Sequence, residues 1–121
     1  MRPEVKKNAL AAEKWTQERC YITETANDPG DENVSIARAR VEPGVTTAWH
    51  SLKGISERYI VISGNGSVEI GDLEPVDVCE GDVVRIPAGT RQRITNTCNT
   101  DLIFYAVCSP RFQNSFYLSL E

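Results

Sequence analysis

The chain has 121 residues, a formal net charge of −4, and an ordinary share of hydrophobic (40%) and charged (25%) residues, which fits one folded domain with its own core. The acidic balance removes any general attraction to nucleic acid or to an anionic membrane, and no apolar run approaches the roughly 18 residues of a membrane span. The opening stretch MRPEVKKNALAAEKW lacks the apolar middle of a secretory signal, so a cytoplasmic location is expected.

Residues 1–19 read as an N-terminal extension. ALAAEKWTQE is rich in helix formers, and Asn8 can cap a short helix over 9–18 that Trp15 docks on the rest of the chain. Residues 20–25, CYITET, alternate and carry β-branched and aromatic side chains, which predicts a strand. NDPGDEN, 27–33, is a cluster of turn residues. In 34–41, VSIARARV, the small residues are expected inside, with Arg38 and Arg40 outside. Further strands are expected at 46–52, 57–63, 67–70, 75–79, 83–86, 91–96 and 102–108. Glu-Pro-Gly, Lys-Gly, Gly-Asn-Gly, Glu-Gly-Asp, Pro-Ala-Gly and Asn-Thr-Asp separate several of them. The last of these, LIFYAVC, is nearly continuous in apolar residues. The tail 111–121 loses its period, and Phe112, Phe116 and Tyr117 are expected to pin it to the domain or to a second subunit. Many short strands with turn chemistry between them predict an all-β sandwich or barrel over 20–110.

Four cysteines, Cys20, Cys79, Cys98 and Cys108, form no Cys-x-x-Cys pair. With one histidine in the chain they do not suggest a cysteine–histidine zinc site, and reduced, mostly buried thiols are expected.

The only histidine, His50, lies in the stretch GVTTAWHSLKGISERYIVISG, with Glu57 seven residues on and Gly64 seven after that. Alternation lets Leu52, Glu57, Tyr59 and Val61 share an interior with His50. This stretch resembles the first motif of the cupin superfamily: Gly, five residues, His-x-His, three or four residues, Glu, six residues, Gly. Leu52 stands at the second histidine. GDVVRIPAGTRQRITN, 81–96, is similar to the second cupin motif, with Gly81, Pro87, Gly89 and Asn96 in their places and Gln92 where that motif has its histidine. The likeness covers roughly 34–110 and is greatest to small single-domain cupins of the mannose-6-phosphate isomerase-like kind.

The resemblance implies a jelly-roll β-barrel of six to eight strands, a site in its interior, and pairing into homodimers by sheet extension. Carried over by position, it implies a weakly held divalent metal at His50, Glu57 and Gln92. Three functions fit these residues. A metal can act as Lewis acid on a small oxygenated, sugar-like or carboxylate molecule. Without metal, His50 and Glu57 can serve as a catalytic acid–base pair for isomerisation or elimination, with Gln92 orienting the substrate. Alternatively the barrel binds a small molecule as a sensor or carrier, or His50 and Glu57 merely hydrogen-bond each other in a filled interior. Tyr59 and Tyr105, with Leu52, are expected as pocket wall. Arg91 and Arg93 flank Gln92 and should face away from it, as should Trp49 beside His50. An inward Arg85 would favour an anionic substrate. Ile55, Ile60 and Ile62 are expected either at a subunit interface or between sheets.

Overall fold

The computed structural model describes the backbone of all 121 residues and every side chain except that of Ala9. Eleven strands follow one another: β1 (Glu13–Trp15), β2 (Tyr21–Ala26), β3 (Ser35–Val41), β4 (His50–Leu52), β5 (Ser56–Ser63), β6 (Asn65–Ile70), β7 (Val76–Cys79), β8 (Val83–Ile86), β9 (Gln92–Asn96), β10 (Leu102–Ser109) and β11 (Tyr117–Ser119). They form two antiparallel sheets, ordered β1-β2-β3-β10-β5-β8 and β11-β4-β9-β6-β7. Among the described residues no helix is long and apolar enough to cross a membrane.

The alternation read from the sequence holds where it places the core. Ala39, Val41, Val61, Val68, Val84, Ile86, Ile94, Leu102 and Phe104 are all buried in one cluster between the sheets. A second cluster of Leu52, Ile55 and Cys108 is covered by Phe112 and Tyr117. Between the clusters the wall thins, because Ala37 on β3 is the cross-strand partner of Ala106 on β10. Two methyl groups opposite each other leave the interior unfilled there, and this is where the cavity lies. Arg38 and Arg40 point outward as expected, towards Glu13, with Arg40 Nη2 2.7 Å from Glu13 Oε1 and Arg40 stacked over Tyr21.

The motif residues other than the ligand positions are framework. Asn96 is fully buried, donates from Nδ2 to the carbonyls of Val41 (2.9 Å) and Thr100 (2.8 Å), and accepts the Cys98 N–H at 2.8 Å. Gly64 has φ +90° and lies so close to Asp101 that a Cβ would stand 2.7 Å from its carbonyl oxygen. That close approach, together with the left-handed φ, requires glycine.

The helix expected over 9–18 does not form. A 3-10 turn spans Asn8–Leu10, and Glu13–Trp15 joins the six-stranded sheet as β1. Local propensity loses here to non-local partners: Glu13 pairs with Arg38 and Arg40, and Trp15 meets the edge of the Tyr21 ring. The tail is likewise a strand, β11, paired with β4 in the register Tyr117↔Leu52 and Ser119↔His50. Ile55 is core, whereas Ile60 and Ile62 are exposed on the outer face of β5. Cys20 and Cys108 are buried, Cys79 is exposed and Cys98 is half-buried, and all four are free thiols.

Candidate functional site

A cavity of about 180 Å³ opens between the sheets, with His50, Leu52, Glu57 and Tyr59 on its wall. The two sheets supply opposite sides: His50 begins β4, and Glu57 lies on β5 between Cys108 of β10 and Ile86 of β8. His50 points inward because Trp49, its neighbour, points out and stacks under Arg91 and Arg93.

His50 is 3% exposed. Its Nδ1 lies 2.9 Å from the Ala48 carbonyl oxygen, which can only accept, so Nδ1 carries the proton. Nε2 is thereby left with its lone pair free. It lies 3.9 Å from Glu18 Oε2, too far for a direct hydrogen bond but close enough for an ion pair once the ring is protonated. The imidazole stacks on the Tyr117 ring, with centroids 5.0 Å apart and an 18° tilt.

Glu57 is the buried acid of the site. Oε2 accepts a long hydrogen bond from the Cys108 thiol (3.6 Å), and Oε1 has no hydrogen-bond partner. Burial raises its pKa from 4.5 to about 7, against the opposing pull of the His50 charge and the Gln92 amide. Burial also raises the Glu18 carboxyl, with His50 again pulling the other way. The Cys20 thiol is pushed up to about 12 and the Cys108 thiol also rises, both chiefly through burial, so neither is a ready nucleophile.

The structure departs from the expected ligand set at Gln92. Gln92 faces His50 across β4 and β9 and is buried, but it does not line the cavity. Its side-chain oxygen accepts the hydroxyl of Tyr59. Leu52 reaches the wall with no donor atom. Among the described residues no three His, Cys, Asp or Glu side chains converge as a metal would need. Of the family's four ligand positions, Leu52 has no donor atom and the Gln92 oxygen is taken by Tyr59, so His50 and Glu57 alone offer donor atoms to the cavity.

Tyr105 is the second correction. The inward residues of β10 are Phe104, Ala106 and Cys108, and Tyr105 faces away, opposite Arg38 and Ile60. β10 alternates without a break, its register with β3 running unshifted from Leu102 to Cys108, and the bulge where Ile103 and Phe104 meet β5 puts the extra residue, Ile62, on β5. Arg85 is exposed and lines no part of the cavity.

Two side chains of the site come from segments that carry no motif. Glu18 sits in the turn between β1 and β2, where Thr16 N–H bonds the Cys20 carbonyl and Arg19 takes φ +66°. Tyr117 comes from β11. Arg19 joins the two segments: its guanidinium meets both carboxylate oxygens of Glu121, at 2.8 and 3.0 Å, and its Nε reaches the Thr46 carbonyl at 2.9 Å. Glu121 also accepts the Trp49 N–H at 2.8 Å. Reading EKW as a strand would have turned TQERC into a hairpin turn and aimed Glu18 at the barrel, and this was the available signal.

Comparison with known proteins agrees with this architecture. The oxalate-binding protein of Thermotoga maritima is 36% identical over 72 residues, 60% of this chain and 59% of its own, so the match spans about three fifths of that relative. Pac13, described as a unique nucleoside dehydratase, superposes with a TM-score of 0.83 at 17% identity, covering 99% of this chain and 92% of its own. A variant of the Streptomyces protein solved with uridine gives the same TM-score at 17% identity, over 100% and 93%. A predicted oxalate decarboxylase from Thermotoga maritima gives a TM-score of 0.79 at 23% identity, over 88% and 99%. Residues 37–108 match the Cupin domain family, most of the barrel with both motifs inside, and the chain belongs to the cupins.

Proposed function

We propose that this cupin uses His50 and a buried carboxyl group, with no resident metal, to move protons on a small polar molecule held in the barrel. The reactions that suit it are isomerisation and elimination of water. What supports this most is the state of His50, whose Nδ1–H is held by Ala48 while Nε2 faces Glu18. Nε2 is the base, Glu18 stabilises the imidazolium that forms, and Glu57, close to half-protonated at neutral pH, is the acid. In an elimination, Nε2 takes a proton from carbon and the freed electron pair forms a double bond. The neighbouring C–O bond breaks, and Glu57 gives its proton to the departing oxygen as water.

The relatives are named for nucleoside dehydration and for oxalate binding, and both support a small-molecule role. A metal at His50, Glu57 and Gln92 is the weaker reading, because Gln92 lies off the cavity wall. Homodimer formation belongs to the same proposal. The cross-strand partners Ile60 and Val83, with Ile62 nearby, leave apolar side chains exposed on the outer face.

The test is incubation in D2O with a panel of small metabolites, followed by mass spectrometry for deuterium uptake or loss of water. The expected product survives chelation and disappears in His50→Gln and Glu57→Gln. A product that needs an added divalent ion, or that His50→Gln still forms, overturns the reading. A compound that binds and is never turned over makes this a binding cupin instead.

A further inference from the structure

Among the described residues, the cavity that the proposed function treats as the ligand site is lined by three acidic side chains, Glu18, Glu24 and Glu57, and by no lysine or arginine, which leaves His50 as the one wall residue able to carry positive charge. Arg19 adjoins Glu18 in sequence, but its guanidinium is held by Glu121 and the Thr46 carbonyl. The Tyr59 hydroxyl already donates to Gln92. Apart from His50, the remaining polar groups on the wall are neutral, among them Thr16, Ser35 and Asn114.

A second observation is independent of the charge count. Glu57 is 8% exposed and lines the cavity, and its Oε1 has no partner within the protein. A buried acceptor left unmade is costly, so the molecule that belongs here brings a donor to it. An anion brings none. It would also lose its hydration beside Glu18 and Glu24, with His50 the single wall group able to offset its charge. At about 180 Å³ the space is below the roughly 300–1,000 Å³ of pockets for drug-sized ligands, which points to a compact metabolite.

We infer that the ligand of this cavity is an uncharged, hydroxyl-bearing molecule of about monosaccharide size, and that carboxylates and phosphates are rejected. This departs from the ligand for which the Thermotoga maritima relative is named, since oxalate is a dianion at neutral pH. The inference rests on the cavity being the ligand site, and it makes no demand on turnover.

The experiment is an NMR fragment screen of full-length protein against size-matched neutral polyols, amines, carboxylates and phosphates. It is read at the ring signals of the sole histidine, with oxalate as a fixed member. Neutral hydroxylated compounds are expected to move the His50 signals, and Glu57→Gln to weaken them at least roughly tenfold. Oxalate at millimolar concentration is expected to leave the signals in place in the wild type. Glu24→Arg, which changes an exposed carboxylate of the wall into a cation, is expected to raise the oxalate response roughly tenfold. Tighter response to carboxylates, phosphates or amines than to polyols overturns the inference, and so does a screen in which no polyol acts. Neutral ligands that bind without turnover would remove the catalytic proposal and leave this one standing. Turnover of an anion would do the reverse.

Discussion

Glu18 Oε2 and His50 Nε2 face each other at 3.9 Å, although Glu18 lies in the turn joining β1 and β2 of the six-stranded sheet and His50 opens a strand of the other. The family motif supplies one of these groups, and a segment outside both motifs supplies the other.

Glu57 makes stability depend on pH in an unusual direction. Its pKa rises from 4.5 to about 7 on folding, so between those values the folded protein holds a proton that the unfolded chain has lost. Stability therefore falls as pH rises through that window, by a few kcal/mol, on the order of 3 for a group this buried. Urea unfolding of wild type and Glu57→Gln across pH 4–8 checks this. The variant should lose most of the slope, the raised Glu18 carboxyl keeping the rest in the same direction, and be the more stable protein above pH 7. An unchanged slope would mean that Glu57 is not the group responsible.

Ala106→Leu should empty the site of function without harming the fold. The new side chain points into the space between Ala37 and Ala106, where there is room for it. Thermal unfolding is expected to hold or rise slightly, since filling a cavity adds buried apolar area. Ligand-induced shifts of the His50 signals should vanish. Retained binding would place the site elsewhere.

Glu121→Gln should loosen the two segments that bring Glu18 and Tyr117. The Glu121 carboxyl is held down at about 2, first by Arg19 and then by the Trp49 N–H. The clasp is therefore complete above pH 4.5 and is lost only as pH falls through about 2. Hydrogen exchange is expected to speed up at β11 and across residues 16–20 in the variant, with little change in the strands around β10. Equal protection in both proteins would show that the clasp holds nothing.

Asn96→Ala removes a side chain that satisfies three backbone groups at once. Loss of buried hydrogen bonds of this kind costs about 2–4 kcal/mol, seen as a lower midpoint in urea. The ligand-induced shifts of the His50 ring signals should be unchanged, because Asn96 serves the framework and does not line the cavity.

The strands, the cores and the two motifs were legible because alternation and turn chemistry are local signals. His50, Glu57, Tyr59 and Leu52 reach the wall as their phase required. Gln92 did not, because motif spacing gives a position in a strand and cannot show that Tyr59 occupies the amide oxygen. Tyr105 failed because LIFYAVC is apolar on both faces and so does not show which side of the strand is inward. Glu18 and Tyr117 were hidden for a different reason. The Glu18 turn is announced only by the three-residue strand EKW before it, which helix-forming neighbours mask, and β11 is a strand only through its distant partner β4.

The Arg19–Glu121 pair also has a practical consequence at the bench. Any polypeptide spliced on after Glu121 begins beside Arg19, the neighbour in sequence of the cavity residue Glu18. A polyhistidine affinity tag there would bring foreign imidazoles next to Glu18 and His50 and could capture nickel or zinc from a purification column. Recombinant material intended for elemental analysis is better tagged at Met1, with the tag cleaved before any ion is counted.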